Sequence, residues 1–383
     1  MSFNVALLIE SSNTYSRNLL NGISRYIHEQ GNWTICFEEM ALDSPAPVWF
    51  DQWKGDGILV RTRNGELMEK ILRHEEKIVD LSPYRSPGLP TVYPDYAASS
   101  QLAANHLKDR ALRHFAYLGL SNERYSQRRR DAFCKLLEPS VSIFEGNQSE
   151  FMENSGAGSD RLADWLHSLP KPCGIMVCYD LLGVYLIQIC IKRGIAVPEE
   201  ISIVGVNNDE MLCNLAPISL SSVAQDTLTA GYESARLLHQ LMAGADPPDS
   251  PLVIPPLYVV ARASTDFCAV SDPLTRKCLQ LIYARACEGI TVRQIAEELS
   301  VCRRALERRF EKWLRITIHE QIRRVQLRHA CELLATSELS LNSIAKRIGV
   351  NSAPQLSVLF KKYYGQTPGD YRNKEQEKRF ANR

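Results

Sequence analysis

The residues with the most legible chemistry are arginines near the C-terminus, in the stretch TVRQIAEELSVCRRALERRFEKW (291–313). Arg304 and Arg308 are four residues apart, so a helix places them on one face. Leu306 and Phe310, also four apart, turn to another face, toward a core. A guanidinium offers a planar fork of donors that matches O6 and N7 of guanine, and two on one exposed face suit a helix lying in the major groove of DNA. Arg303, Arg304, Glu307 and Arg308 are the candidate contacts. Taken alone, an Arg/Glu helix is ordinarily a solvated charged face. The preceding segment presents Val292, Ile295, Ala296 and Leu299 at helical spacing, and Thr291 with Gln294 three residues on has the form of a capping box. Together they read as helix, turn at Ser300–Val301, basic helix.

A second copy gives that reading its weight. In SLNSIAKRIGVNSAPQLSVLFKKYYGQTPGDYR (340–372), Ile344-Ala345 echoes Ile295-Ala296, Ile348 echoes Leu299 and Phe360 echoes Phe310. Gly349 supplies a permissive turn, Ser352 caps the second helix, and Pro354 lies in its first turn, where a missing N–H costs little. Asn351, Ser352 and Gln355 are the candidate DNA contacts here; Lys361 and Lys362, at the helix end, are placed for phosphates. Residues 317–335 read as one long helix between the copies. Such a rod, rising about 1.5 Å per residue, separates them by roughly one turn of DNA, near 34 Å.

Charge agrees. The 383 residues carry a net charge of only +1, but residues 272–383 hold 22 Lys and Arg against 12 Asp and Glu, and residues 1–271 hold 23 against 32. A basic tail on an acidic body points to a polyanionic partner. Composition, 45% hydrophobic and 23% charged, excludes a disordered chain. No apolar run approaches the roughly 20 residues of a membrane span, so no membrane is expected as a partner. MSFNVALLIE enters a strand without a basic region or cleavage site, unlike a signal peptide. The eleven cysteines form no C-x-x-C and read as reduced thiols used as small hydrophobes.

Stepping upstream, short apolar runs alternate with helical patterns: VALLI (5–9), TICFEE (34–39), GILV (57–60), KIVDL (77–81), HFAYLGL (114–120), VSIF (141–144), GIMVC (174–178) and ISIVGV (201–206). Helical runs at 97–110, 127–138, 159–168, 181–193 and 227–243 lie between or after them. Strands of about five residues alternating with helices mean βαβ units around parallel sheets, and some ten strands mean two lobes. The expected architecture is an α/β two-lobed domain over 1–265, a linker at 266–273, and an all-α domain with two helix-turn-helix units over 274–383. Ligands bind beyond the carboxyl ends of parallel strands. That rule selects Arg17, Asp95, Arg129, Asp180, Asn207 and Gln225, whose donors and acceptors suit a ligand dense in hydroxyls, although each can equally be a loop cap or surface ion pair. Trp33, Trp49 and Trp53 offer a stacking face for a pyranose or belong to the core.

Three runs, IAEELSVCRRALERRF, IRRVQLRHA and above all FKKYYGQTPGDYR (360–372), resemble the DNA-binding domain of AraC-type regulators. VCYDLLGVYLIQICIKRGIAVPEEISIVGVNND (177–209) and LSSVAQDTLTAGYESARLLHQLMAG (220–244) resemble the LacI/GalR-type effector domain, a periplasmic-binding-protein-like fold. The order, sensor first and reader last, is that of the xylose-responsive operon activators, which the whole chain resembles. The resemblance implies a sugar effector (xylose or related), a double-stranded DNA operator, a homodimer, RNA polymerase as a partner, a cytoplasmic location and no cofactor. It places Arg17, Asp95, Arg129, Asp180 and Asn207 at pocket positions. Two departures stand out. A carboxylate is expected at 207, where this chain has Asn207 with Asp209 two residues on. A polar or basic residue and an aromatic are expected around 355–358, where it has Gln355, Leu356, Ser357 and Val358, which leaves base reading by the second unit to Asn351 or Gln355 and to contacts with thymine methyls. No phosphate loop, zinc spacing or nucleophile motif occurs, so neither catalytic nor metal-binding residues are assigned. The alternative, a sugar-acting α/β enzyme with a helical appendage, would have to use Asp95 and Asp180, and gives a duplicated basic helix-turn-helix no role.

Overall fold

The computed structural model describes residues 2–373 apart from 31, 75, 83–87, 138–140, 153–156, 267–271, 315 and 338. Most of the linker expected at 266–273 lies outside the described residues.

The apolar runs become strands of two parallel sheets. The first lobe has four strands in the order Trp33–Phe37, Phe3–Ile9, Gly57–Arg61, Lys77–Asp80. The second has six: Pro256–Val260, Ser221–Gln225, Ile201–Asn207, Cys173–Val177, His114–Leu120 and Val141–Gly146, all parallel except the first pair. Strands covered on both faces lose their alternation, and Cys173–Val177 and Ile201–Val206 are buried throughout. One short segment escapes the sequence pattern: Leu252–Ile254, inside the Pro-rich stretch 244–256, pairs with Val92–Pro94 as a two-stranded ribbon.

The chain passes between lobes three times: after Pro94, between Gln225 and Thr227, and between Ile254 and Pro256. Helix Thr227–Met242 therefore returns to pack on helix Thr14–Gln30 and closes the first lobe's core with Ala230, Ala235 and Leu238. The two helices touch backbone to backbone. A Cβ on Gly22 would lie 2.1 Å from the carbonyl oxygen of Leu228, and one on Gly231 would lie 2.0 Å from that of Leu19.

The C-terminal region is all helical. Pro273–Arg285, capped by Asp272, precedes Val292–Glu298 and Arg303–Leu314, then Ile318–Thr336, then Leu341–Arg347 and Ala353–Tyr364. The capping box of Thr291 and Gln294 is formed. Ser300 and Gly349 both take positive φ at the turns between paired helices. The 19-residue helix Ile318–Thr336, about 28 Å long, feeds two cores: Ile318, Ile322 and Val325 pack with the first unit, and Leu327, Ala330 and Leu334 with the second. Between them Gln326, buried, donates to the carbonyl oxygens of Ala286 (2.8 Å) and Gly349 (3.2 Å).

This region rests on the second lobe. The Tyr283 hydroxyl donates to the Asp109 carbonyl (2.8 Å) and accepts from Gln321 Nε2 (3.0 Å), and Arg328 pairs with the Asp109 carboxylate. The neighbouring Arg110 donates to the Thr265 carbonyl and stacks on the Tyr283 ring. His106 bonds Thr265 Oγ1 at 2.8 Å, and burial, with Arg110 beside it, pushes its pKa well down, so the imidazole is neutral.

Candidate functional site

A cavity of about 1100 Å³ opens between the lobes at the carboxyl ends of both sheets. From the first lobe it is lined by Glu10, the residue after strand Phe3–Ile9, and by Arg61, the last residue of Gly57–Arg61. These two form a buried ion pair, and Glu10 also accepts from Asn13 Nδ2 (2.7 Å) and Ser16 Oγ (2.9 Å). The Arg61 guanidinium lies over the Tyr15 ring, 4.9 Å from its centre.

The second lobe supplies Arg129, Asp180, Asn207 and Gln225. Helix Arg124–Leu137 buries Arg129, which donates to the Cys178 carbonyl and sits over the rings of Tyr96 (5.5 Å) and Tyr125 (5.4 Å). Asp180 opens helix Asp180–Lys192 and accepts from Ser222 Oγ (2.5 Å) and the Asp209 amide (2.7 Å). Burial pushes its carboxyl up to about 7, against those two donors, which favour the charged form. Asn207 and Asn208 both have positive φ, so the strand end bends sharply there. Asn208 bonds Arg262 and Asp209 caps the next short helix, and both line the cavity together with Asn207. Gln225 donates to Ser99 Oγ (3.0 Å). Three buried polar atoms of these cavity residues, Nε of Arg61, Nε of Arg129 and Oε1 of Gln225, have no hydrogen-bond partner among the described residues. Five tyrosines, Tyr15, Tyr96, Tyr125, Tyr179 and Tyr258, also line the cavity, and Arg63 of the first lobe pairs with Glu123 of the second at 2.7 Å.

Four of the six residues selected from the sequence thus converge, and two do not. Arg17 is exposed, donates to the Ser11 carbonyl and Thr14 Oγ1 one turn into its helix, and is not among the residues that line the cavity. Asp95 caps helix Tyr96–Lys108, accepting from the Ala98 amide (2.8 Å), while its own N–H donates to the Ile254 carbonyl (2.7 Å). Its position past a strand end serves an interlobe crossing. The tryptophans are core: Trp33 packs with Tyr26 and His239, and Trp49 and Trp53 with Phe50. Glu10 and Arg61 escape the sequence reading although they obey the same strand-end rule.

On the C-terminal domain, Arg304 and Arg308 are exposed on Arg303–Leu314, opposite the buried Leu306 and Phe310. Arg303 and Glu307 instead bond each other (2.9 Å), and Arg309 pairs with Asp272 (3.3 Å). In the second unit Ser352 Oγ caps the helix through the Gln355 amide, Gln355 is half-buried, and Asn351, Lys361 and Lys362 are exposed. No cluster of three or more metal-binding side chains occurs among the described residues. None of the described helices is long and apolar enough to cross a membrane.

A two-lobed α/β domain with an interlobe cleft, joined to paired helix-turn-helix units, defines a class of transcription regulators that couple a ligand cleft to DNA. Family models agree: residues 104–265 match the periplasmic binding protein-like domain and residues 295–374 a helix-turn-helix domain. The chain is 33% identical to the xylose operon regulatory protein of Haemophilus influenzae (97% of this chain, 98% of that one) and 31% identical to that of Escherichia coli K12 (96% of each). The solved structure of a xylose-binding transcription activator matches with a TM-score of 0.63 at 30% identity, covering 97% of this chain and 98% of that one. A ribose-bound LacI family regulator from Enterococcus faecalis, 19% identical, shares the fold of the sensor alone (TM-score 0.55; 69% of this chain, 98% of that one). The chain belongs to the family of xylose operon regulatory proteins.

Proposed function

We propose that the chain activates a pentose-utilisation operon in response to a sugar, xylose or a close relative, bound in the interlobe cleft. Residues 1–265 sense, and residues 274–383 bind the operator as part of a cytoplasmic homodimer that contacts RNA polymerase. The observation that carries this is the cavity between the lobes, lined by Glu10, Arg61, Arg129, Asp180, Asn207 and Gln225, in a domain joined to a duplicated basic helix-turn-helix. A pentose brings hydroxyls that both donate and accept, and its C–H faces suit the surrounding tyrosine rings. In this reading Arg129, Asp180, Asn207 and Gln225, with Glu10 and Arg61, bind the sugar. Arg304 and Arg308 of the first unit read bases, Asn351 or Gln355 does so in the second, and Lys361 and Lys362 hold phosphates.

Closure of the lobes on the sugar moves the first lobe relative to the second, against which the reader rests at Asp109, Tyr283 and Arg328. Calorimetry of the full chain against a panel of pentoses, followed by DNA binding with and without the tightest ligand, tests the proposal. Reversible binding of one pentose that changes operator affinity is expected. Absence of pentose binding, or consumption of the sugar, rejects it.

A further inference from the structure

The two reading helices are built alike. Each has 12 residues, each follows a turn whose first residue has positive φ, and each buries two residues four apart, Leu306 with Phe310 and Leu356 with Phe360. Matching these buried pairs fixes the register without adjustment. Arg304 then corresponds to Pro354, and Arg308 to Val358. Like the two arginines, both are exposed, Val358 by 69%. Gln355, the most polar residue near this face, corresponds to Ala305 and is turned half inward, with its backbone amide held by Ser352.

Where the first unit presents two guanidiniums, the second therefore presents a proline ring and an isopropyl group. Neither can donate or accept a hydrogen bond at a base edge. The apolar group a base pair offers in the major groove is the 5-methyl of thymine. The adjacent Lys361 and Lys362 are exposed and placed to anchor the helix to the backbone, and the region's excess of basic residues favours DNA as the occupant of this face. We propose that Val358, with Pro354 beside it, is a specificity-determining residue that selects thymine through its 5-methyl group. The proposal rests on the DNA-binding reading above. It makes the operator unlike in its two segments, with guanine read by the first unit and thymine methyls by the second.

The test uses the full chain and a duplex obtained by selection from a random library. Each thymine of the site is replaced singly by uracil, which keeps every hydrogen-bonding group and loses only the methyl. Uracil at one or two positions opposite the second unit is expected to weaken binding about fourfold, the value of one buried methyl. Replacements opposite the first unit should have no such effect. Val358→Ala should abolish most of the uracil penalty, and Val358→Thr, equal in shape but with one methyl exchanged for a hydroxyl, should reduce it. Val358 is exposed, so neither variant disturbs the core. Uniform indifference to uracil, or a penalty unchanged in Val358→Ala, overturns the proposal while leaving selective DNA binding intact. Failure to select any duplex overturns the DNA-binding reading as well.

Discussion

The cleft and the first reading helix use arginine in opposite ways. In the cleft Arg129 is buried and Arg61 nearly so, fixed by a carboxylate or a carbonyl and by aromatic rings. On the reading helix Arg304 and Arg308 stand exposed, with no ion pair or hydrogen bond to another described residue. The cleft is ordered in advance, so its polar residues carry stability and, on the proposed function, binding as well. On the same proposal the exposed arginines meet a partner that supplies both charge and geometry, and carry binding alone.

The sharpest way to break that contrast is Glu10→Ala, which leaves Arg61 without its buried partner. It should lower unfolding stability by about 3–5 kcal/mol, read from the urea midpoint of the full chain. An unchanged midpoint would show that the cleft pair carries no stability. Asp180 sharpens the same side. Its carboxyl titrates near 7 when folded and at an ordinary 3.8 when unfolded, so the stability it contributes is complete below about pH 3.8 and is lost as pH rises through about 7. Asp180→Asn should remove that decline, and urea titrations between pH 4 and pH 8 would reveal it. For ligand binding, Arg129→Ala should weaken the tightest pentose by about 1.5–3 kcal/mol in calorimetry. On the other side, Arg304→Ala or Arg308→Ala should weaken the selected duplex by about 1–3 kcal/mol and relax preference at one or two base pairs, with unfolding stability in urea changed by less than about 0.5 kcal/mol. The smallest effect is expected where the two regions meet. Asp109→Ala should leave pentose affinity unaltered yet reduce the sugar's effect on DNA binding by about 0.5–2 kcal/mol, measured by titrating duplex with and without sugar.

The lobes, the helical reader and its duplication were legible because each rests on local pattern: apolar runs, helical spacing and capping residues such as Thr291 and Ser352. Leu252–Ile254 was not, since residues flanked by prolines carry no strand signal and become a strand only by pairing with the distant Val92–Pro94. The cleft was half legible. The strand-end rule found Arg129, Asp180, Asn207 and Gln225, but it does not say which polar residue turns inward, so Asp95, used as a helix cap, looked the same as Asp180. Glu10 fits the rule yet gave no local sign of its partner, because Arg61 lies 51 residues away.

The first lobe is sewn shut by a helix made late. Tyr26 meets His239 across 213 residues, and Tyr232 meets Glu29 across 203. On a ribosome adding about 5–20 residues per second, the strands first to emerge wait on the order of ten seconds or more for Thr227–Met242 to cover them. By then five of the six strands of the second lobe, the exception being its edge strand Pro256–Val260, have already been synthesised. The lobe encoded first therefore cannot close its core until most of the second has been made. A chain released before residue 227 would expose the apolar face of the sheet around Phe3–Ile9, and protease or chaperone would meet that face before any sugar could.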